Sequence, residues 1–184
     1  MNYVLPSLRL WLATILVCVV GYTGLILAFA QTVAPYRANA SIVEVDGRAV
    51  GSELIAQDFT SARYFWPRPS AAGYDGMSAA GSNLSPTSAD LAARAAETVA
   101  RYGATAENPV PADLVAASGG GLDPYISLDG ALYQVDRVAI ARGLDPARVR
   151  ELIEQQSAAP GAIFAPERIV NVLQLNLALE RLEE

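Results

Sequence analysis

The chain has no histidine, a single cysteine and no lysine, so all 13 basic side chains are arginine. Without lysine there is no phosphate-binding G-x-x-x-x-G-K-[ST] loop, no Schiff base and no lysine general base. Without histidine there is no Ser–His or Cys–His pair and no imidazole metal site. The lone thiol, Cys18, cannot form a disulfide within the chain. No D-x-[DN]-x-[DN]-G calcium loop occurs. A pair of carboxylates acting alone stays open, because the chain has 19 acids, but no spacing singles one pair out.

Charge is absent from one long run. Between Arg9 and Arg37, 27 consecutive residues carry no charged side chain, and LWLATILVCVVGYTGLILAFA fills most of that gap. About 20 apolar residues at about 1.5 Å each cross a bilayer's hydrocarbon core as a helix. The segment predicts a transmembrane helix over residues 10–30. A signal peptide is a second reading, with Ala28-Phe29-Ala30 as cleavage site, but the run exceeds the usual h-region of about 7–15 residues. A core helix of a soluble domain would carry a polar face, and none is visible here. Arg9 and the amino terminus precede the helix without an acid, which places residues 1–9 in the cytoplasm by the positive-inside rule. Residues 31–40 then form a connector, with Pro35 ending the helix. Residues 41–184 form one extracytoplasmic α+β domain. This domain side holds 12 arginines against all 19 acids. No nucleic-acid partner is expected of so acidic a chain.

Within the domain, Asp46-Gly47 between Ser41–Val45 and Arg48–Leu54 predicts a β-hairpin. Ile42, Val43, Val45, Val50, Leu54 and Ile55 would supply its core face. Pro86-Thr87-Ser88 opens a helix that Gly103 ends, with Thr87 and Asp90 spaced as a capping box. Ser127 caps a helix over about Leu128–Arg142, and Asp145-Pro146 starts another that presents Val149, Leu152 and Ile153 inward. Ile169–Leu182 alternates like a strand yet is rich in helix formers, and reads as helix.

Two stretches invite a functional reading. Asp58–Gly81 packs Phe59, Tyr64, Phe65, Trp66, Arg68 and Tyr74 among prolines and small residues. It is either a contact surface, since Trp, Tyr and Arg dominate interface energetics, or an aromatic plug over the domain's own core. Ser118-Gly119-Gly120-Gly121 is either an anion-binding nest of backbone N–H groups or a flexible turn. From the residues alone the chain is a membrane-anchored α+β interaction domain, with a free-standing anchored enzyme or binding module as the alternative.

The blocks GSELIAQDFTSARYFWPRPSAAGYD, GSNLSPT, PADLVAASGGGLDPYIS, ALYQVDRVAIARGL and NVLQLNLALE follow the apolar helix in that order. Together they resemble the KdpC family, one of the subunit families of the bacterial Kdp potassium-transporting ATPases. The resemblance covers nearly the whole chain. It implies an accessory, non-hydrolysing subunit in the bacterial plasma membrane, held by one N-terminal helix. The implied partners are a pore-forming potassium-binding subunit, a P-type ATP-hydrolysing subunit and the lipid bilayer. Potassium would be the transported ion and ATP the nucleotide used through the complex. The family role is a catalytic chaperone that raises the hydrolysing subunit's ATP affinity. By resemblance Gln134, in A-L-Y-Q-V, is the nucleotide-contacting glutamine, and Ser118, Gly119, Gly120 and Gly121 form the compared signature loop. Partner-contact candidates come from the first three blocks: Tyr64, Phe65, Trp66, Arg68, Asn83 and Asp123. Three positions depart from the pattern: Pro67 for Gly, Tyr125 for His and Asp136 for Pro. Tyr125 argues against an essential imidazole there. A second role is mechanical, with the acidic domain over the external mouth of the pore.

Overall fold

The computed structural model describes residues 3–161, 164 and 166–182. The expected start of the cytoplasmic segment at residues 1–2 and the end of the domain at residues 183–184 lie outside them. The chain divides into two units, residues 1–42 and 43–184.

The first unit is dominated by one helical rod, Val4–Val33. It comprises α1 (Val4–Thr14), a stretch of wider π-type winding (Ile15–Tyr22) and α2 (Thr23–Val33). Its 30 residues make about 45 Å of helix, more than the roughly 30 Å of a hydrocarbon core. The rod therefore extends past the expected 10–30 span at both ends. None of its residues is buried within the protein, which removes the soluble core-helix reading. Polar side chains in the rod satisfy themselves: the Thr14 hydroxyl donates to Leu10 O at 2.9 Å and that of Thr32 to Ala28 O at 3.0 Å. The rod stops at Ala34 (φ −144°, ψ 61°), where the following Pro35 disfavours helical geometry. A single turn, α3 (Pro35–Ala38), follows.

A hairpin of β1 (Ile42–Val45) and β2 (Arg48–Ser52) follows, all but Ile42 of it in the second unit. Its turn residues Asp46 (φ 51°) and Gly47 (φ 74°) both adopt the left-handed geometry that tight hairpins need. The expected core face fails. None of the six apolar residues assigned to it is buried, and Val45, Val50 and Leu54 are 38, 40 and 54 % exposed. The hairpin is tied to the domain by polar bonds at its exit: Asn171 and Gln174 donate to the carbonyl and carboxylate of Glu53 at 2.9 and 2.6 Å.

The core forms further along the chain. β3 (Tyr125–Ser127), β5 (Ile169–Asn171) and β4 (Ser157–Ala158) make a small antiparallel sheet in the order β3-β5-β4, with Ile126 opposite Val170. Helices α6 (Leu128–Tyr133), α7 (Val135–Arg142), α8 (Pro146–Gln156) and α9 (Val172–Arg181) pack with it. Val138, Val149, Ile153, Leu175 and Leu179 fill the interior. The caps at Ser127 and Asp145 form as expected, accepting from Gly130 N and Ala147 N, each at 2.8 Å. The expected Leu128–Arg142 helix is two helices, because the chain tightens at Gln134 (φ −89°, ψ −5°) with its N–H on Ala131 O. Ile169–Leu182 begins as a strand and becomes helix where the Asn171 side chain accepts from Gln174 N. Helix α4 (Ala89–Tyr102) ends at Gly103 as expected, but Thr87 does not cap it. A short α5 (Ala112–Val115) precedes the sheet.

Candidate functional site

Residues 53–88 contain no helix or strand, yet the backbone of the aromatic part of this stretch is heavily tied. Six successive carbonyls, Ser61 to Trp66, each accept a hydrogen bond from a side chain. The donors are Trp66 Nε1 to Ser61, Arg137 to Ala62 and Tyr64, Arg142 to Arg63, Asn176 to Phe65 and Gln134 to Trp66. A backbone without a ladder partner still has to satisfy its polar groups once buried, and here α7, α9 and the α6–α7 junction supply the partners for five of the six.

The middle of the segment sits deepest. Phe65 is fully buried and Trp66 is 7 % exposed. The side-chain amide of Asn176, on α9, pairs with both backbone groups of Phe65, accepting from its N at 2.8 Å and donating to its O at 3.0 Å. The side-chain amide of Gln134 does the same to Trp66, at 2.8 and 3.2 Å. Gln134 also donates to Gly130 O at 3.2 Å and accepts from Arg137 at 2.6 Å. Two donors and two acceptors are the full capacity of a glutamine amide, so Gln134 has nothing left to offer a ligand. Both amides are buried, Gln134 at 1 % and Asn176 at 2 % exposed.

Arginines grip the segment from outside. The Arg101 and Arg137 guanidiniums lie 3.9 and 3.7 Å from the Trp66 ring centroid, and Tyr102 stands 5.2 Å from it. Burial lowers the Arg137 pKa to about 10 and pushes the Tyr102 phenol up to about 12, so Arg137 is still a cation and Tyr102 neutral near pH 7. Arg142 donates to Glu180 at 2.6 Å and lies 5.0 Å from the Tyr64 ring centroid. That bond holds the Glu180 carboxyl below its usual range. The Glu180 carboxylate, as acceptor for Tyr64, raises the phenol's pKa.

The other residues singled out from sequence form a separate polar group. Arg68 pairs with Asp123 at 3.1 Å, and Asp123 also accepts from Tyr125 N at 3.0 Å. Ser118 is buried, and its N–H donates to Pro69 O at 3.1 Å. Gly121 (φ +71°) donates to Ser118 O, and its carbonyl accepts from Ser70 Oγ at 2.5 Å. A Cβ at Gly121 would come within 2.8 Å of Ala72 Cβ and of Ala80 O, which requires glycine there. The N–H groups of Ser118 and Gly121 are thus spent inside the protein, and Ser118–Gly121 props the turn after the aromatic segment. Asn83 is exposed in a left-handed turn (φ 50°). Among the described residues Gln134 and Ser118–Gly121 share no hydrogen bond. Between the two groups a polar cleft of about 230 Å³ is lined by Asp58, Pro67, Tyr74, Glu97, Arg101 and Tyr102. Small-molecule sites usually span about 300–1,000 Å³. An apolar groove of about 690 Å³ between α4 and residues 104–116 is lined by side chains such as Leu91, Ala95, Val99 and Val115. It offers little to orient a triphosphate. The residues missed from sequence are Asn176, Arg137, Arg142 and Glu180. Asn176 had a signal: with Gln174 it is one of two amides set into the leucine-rich run LQLNLAL.

The family model described as "K+-transporting ATPase, c chain" matches residues 4–181. The chain belongs to the KdpC family. A protein named potassium-transporting ATPase KdpC subunit from Parvibaculum lavamentivorans is 58 % identical over 184 residues, spanning 100 % of this chain and 98 % of its own. Proteins of the same name from Gemmatimonas aurantiaca and Serratia proteamaculans are 47 and 41 % identical, covering 99 and 100 % of this chain and 94 and 100 % of theirs. The KdpC match takes in the apolar rod, the tied segment and α9 together.

Proposed function

We propose that this chain is the KdpC subunit of a potassium-transporting pump, anchored by its N-terminal helix and without hydrolytic chemistry of its own. The observation that carries this is the end-to-end likeness to proteins named KdpC subunits. The absence of lysine and histidine agrees with a chain that leaves hydrolysis to another subunit. The proposed partners are a pore-forming potassium-binding subunit and a P-type ATP-hydrolysing subunit. The proposed topology has one pass, a cytoplasmic N-terminus and the acidic domain outside, on the strength of Arg9 ahead of an uncharged span. Within the complex the subunit raises the ATP affinity of the hydrolysing subunit, and ATP acts there rather than on a catalytic site of this chain.

Purification from native membranes in mild detergent tests the reading. The chain is expected to bring down a P-type ATPase subunit and a pore subunit in fixed ratio. A chain that emerges alone and turns over a substrate without partners contradicts it. Protease added outside intact cells should remove the domain, and full protection would reverse the topology.

A further inference from the structure

We propose that Gln134 and Asn176 are two halves of one positioning device, and that Gln134 influences the pump through the Phe65–Trp66 backbone and not by touching nucleotide. This rests on the pump-subunit reading above. Adjacent residues of one irregular segment are each held at both N–H and C=O by a side-chain amide, Phe65 by Asn176 and Trp66 by Gln134. The two amides come from different places, Asn176 from the middle of α9 and Gln134 from the junction of α6 and α7. They lock the segment to both at once. A nucleotide would have to strip the Gln134 amide of bonds it already makes to Trp66, Gly130 and Arg137. Opening them leaves buried backbone groups unpaired, which is the costly outcome for any polar interior. Arg137 binds both Gln134 and the carbonyls of Ala62 and Tyr64, so displacing one amide disturbs the whole run.

The device has its own reporter. The chain holds two tryptophans, Trp11 in the apolar rod and Trp66 in the clamp. In the full chain carrying Trp11→Phe, emission comes from Trp66 alone. The test compares Gln134→Ala, Asn176→Ala and the near-isosteric Asn176→Asp, which keeps the acceptor and loses the donor. Each is made in the full chain, measured by Trp66 emission and, in the assembled pump, by the apparent KM for ATP and turnover at saturating ATP. All three are expected to red-shift Trp66 emission. Asn176→Ala and Gln134→Ala are both expected to raise the KM for ATP, by at least about fivefold, the size a single lost hydrogen bond carries. Saturating turnover and subunit stoichiometry should change less than twofold, a split that general loss of fold would not give. If Asn176→Ala does not fold, Asn176→Asp replaces it in the comparison. A raised KM in Gln134→Ala with Asn176 variants at the wild-type value overturns the proposal and returns Gln134 to direct contact. Unchanged Trp66 emission in every variant overturns it as well. Emission shifts in a chain that assembles with no pump would sustain the clamp and sink the pump-subunit reading instead.

Discussion

The hairpin over residues 42–52 and the aromatic segment over residues 59–69 invert the usual relation between regularity and burial. The hairpin has regular secondary structure and a well-formed turn, yet Val45 and Val50 are exposed. The aromatic segment has no regular structure, yet it contributes Phe65 to the core and has its carbonyls capped by side chains from two helices. Backbone regularity is one way to satisfy buried polar groups, and a set of arginines and amides is another. The second way is more specific, because each donor is fixed at its own place on a helix and the pairing cannot slide by a register.

Breaking the irregular segment should therefore cost far more than breaking the hairpin. Phe65→Ala is expected to remove about 3–5 kcal/mol of unfolding free energy, read by urea denaturation of the full chain in detergent. Losing less than about 1 kcal/mol would mean the aromatic segment is not part of the core. Arg137→Met is expected to cost about 2–3 kcal/mol, because it abandons the Ala62 and Tyr64 carbonyls while keeping a side chain over Trp66. Glu180→Gln sharpens the contrast through pH. The Arg142 bond lowers the Glu180 pKa in the folded state, so as pH falls the unfolded chain takes up the proton first. Its stabilisation is complete above the usual value of 4.5 and is lost as pH falls through the lower folded one. The stability gap between wild type and Glu180→Gln should shrink over that acid window in thermal melts. A gap that stays constant across that window would mean the pair does not form. At the small end, Val50→Thr should change stability by no more than about 0.5 kcal/mol, as at most exposed sites.

Much of the frame was legible in the sequence. The apolar rod, the Asp46-Gly47 turn, the Gly103 helix stop and the Ser127 and Asp145 caps all rest on local chemistry that neighbouring residues decide. The inward residues of α8 followed from helical spacing. The hairpin's facing was not legible, because alternation names two faces without saying what lies beyond either. The break at Gln134 and the strand at Ile169–Asn171 depend on partners far along the chain, Trp66 in one case and β3 in the other. The site was half visible. Gln134 stood out through resemblance and the aromatic residues through composition. Their union with Asn176 crosses 111 residues of sequence, and no local pattern encodes that.

Hydrogen exchange at single-residue resolution tests most directly whether side chains hold the aromatic segment as firmly as a ladder would. The amides of Phe65 and Trp66, bound to Asn176 Oδ1 and Gln134 Oε1, should exchange as slowly as those in the middle of α9. The hairpin amides should exchange faster. Phe65 and Trp66 amides that exchange at the rate of the exposed turn around Met77 would contradict the account.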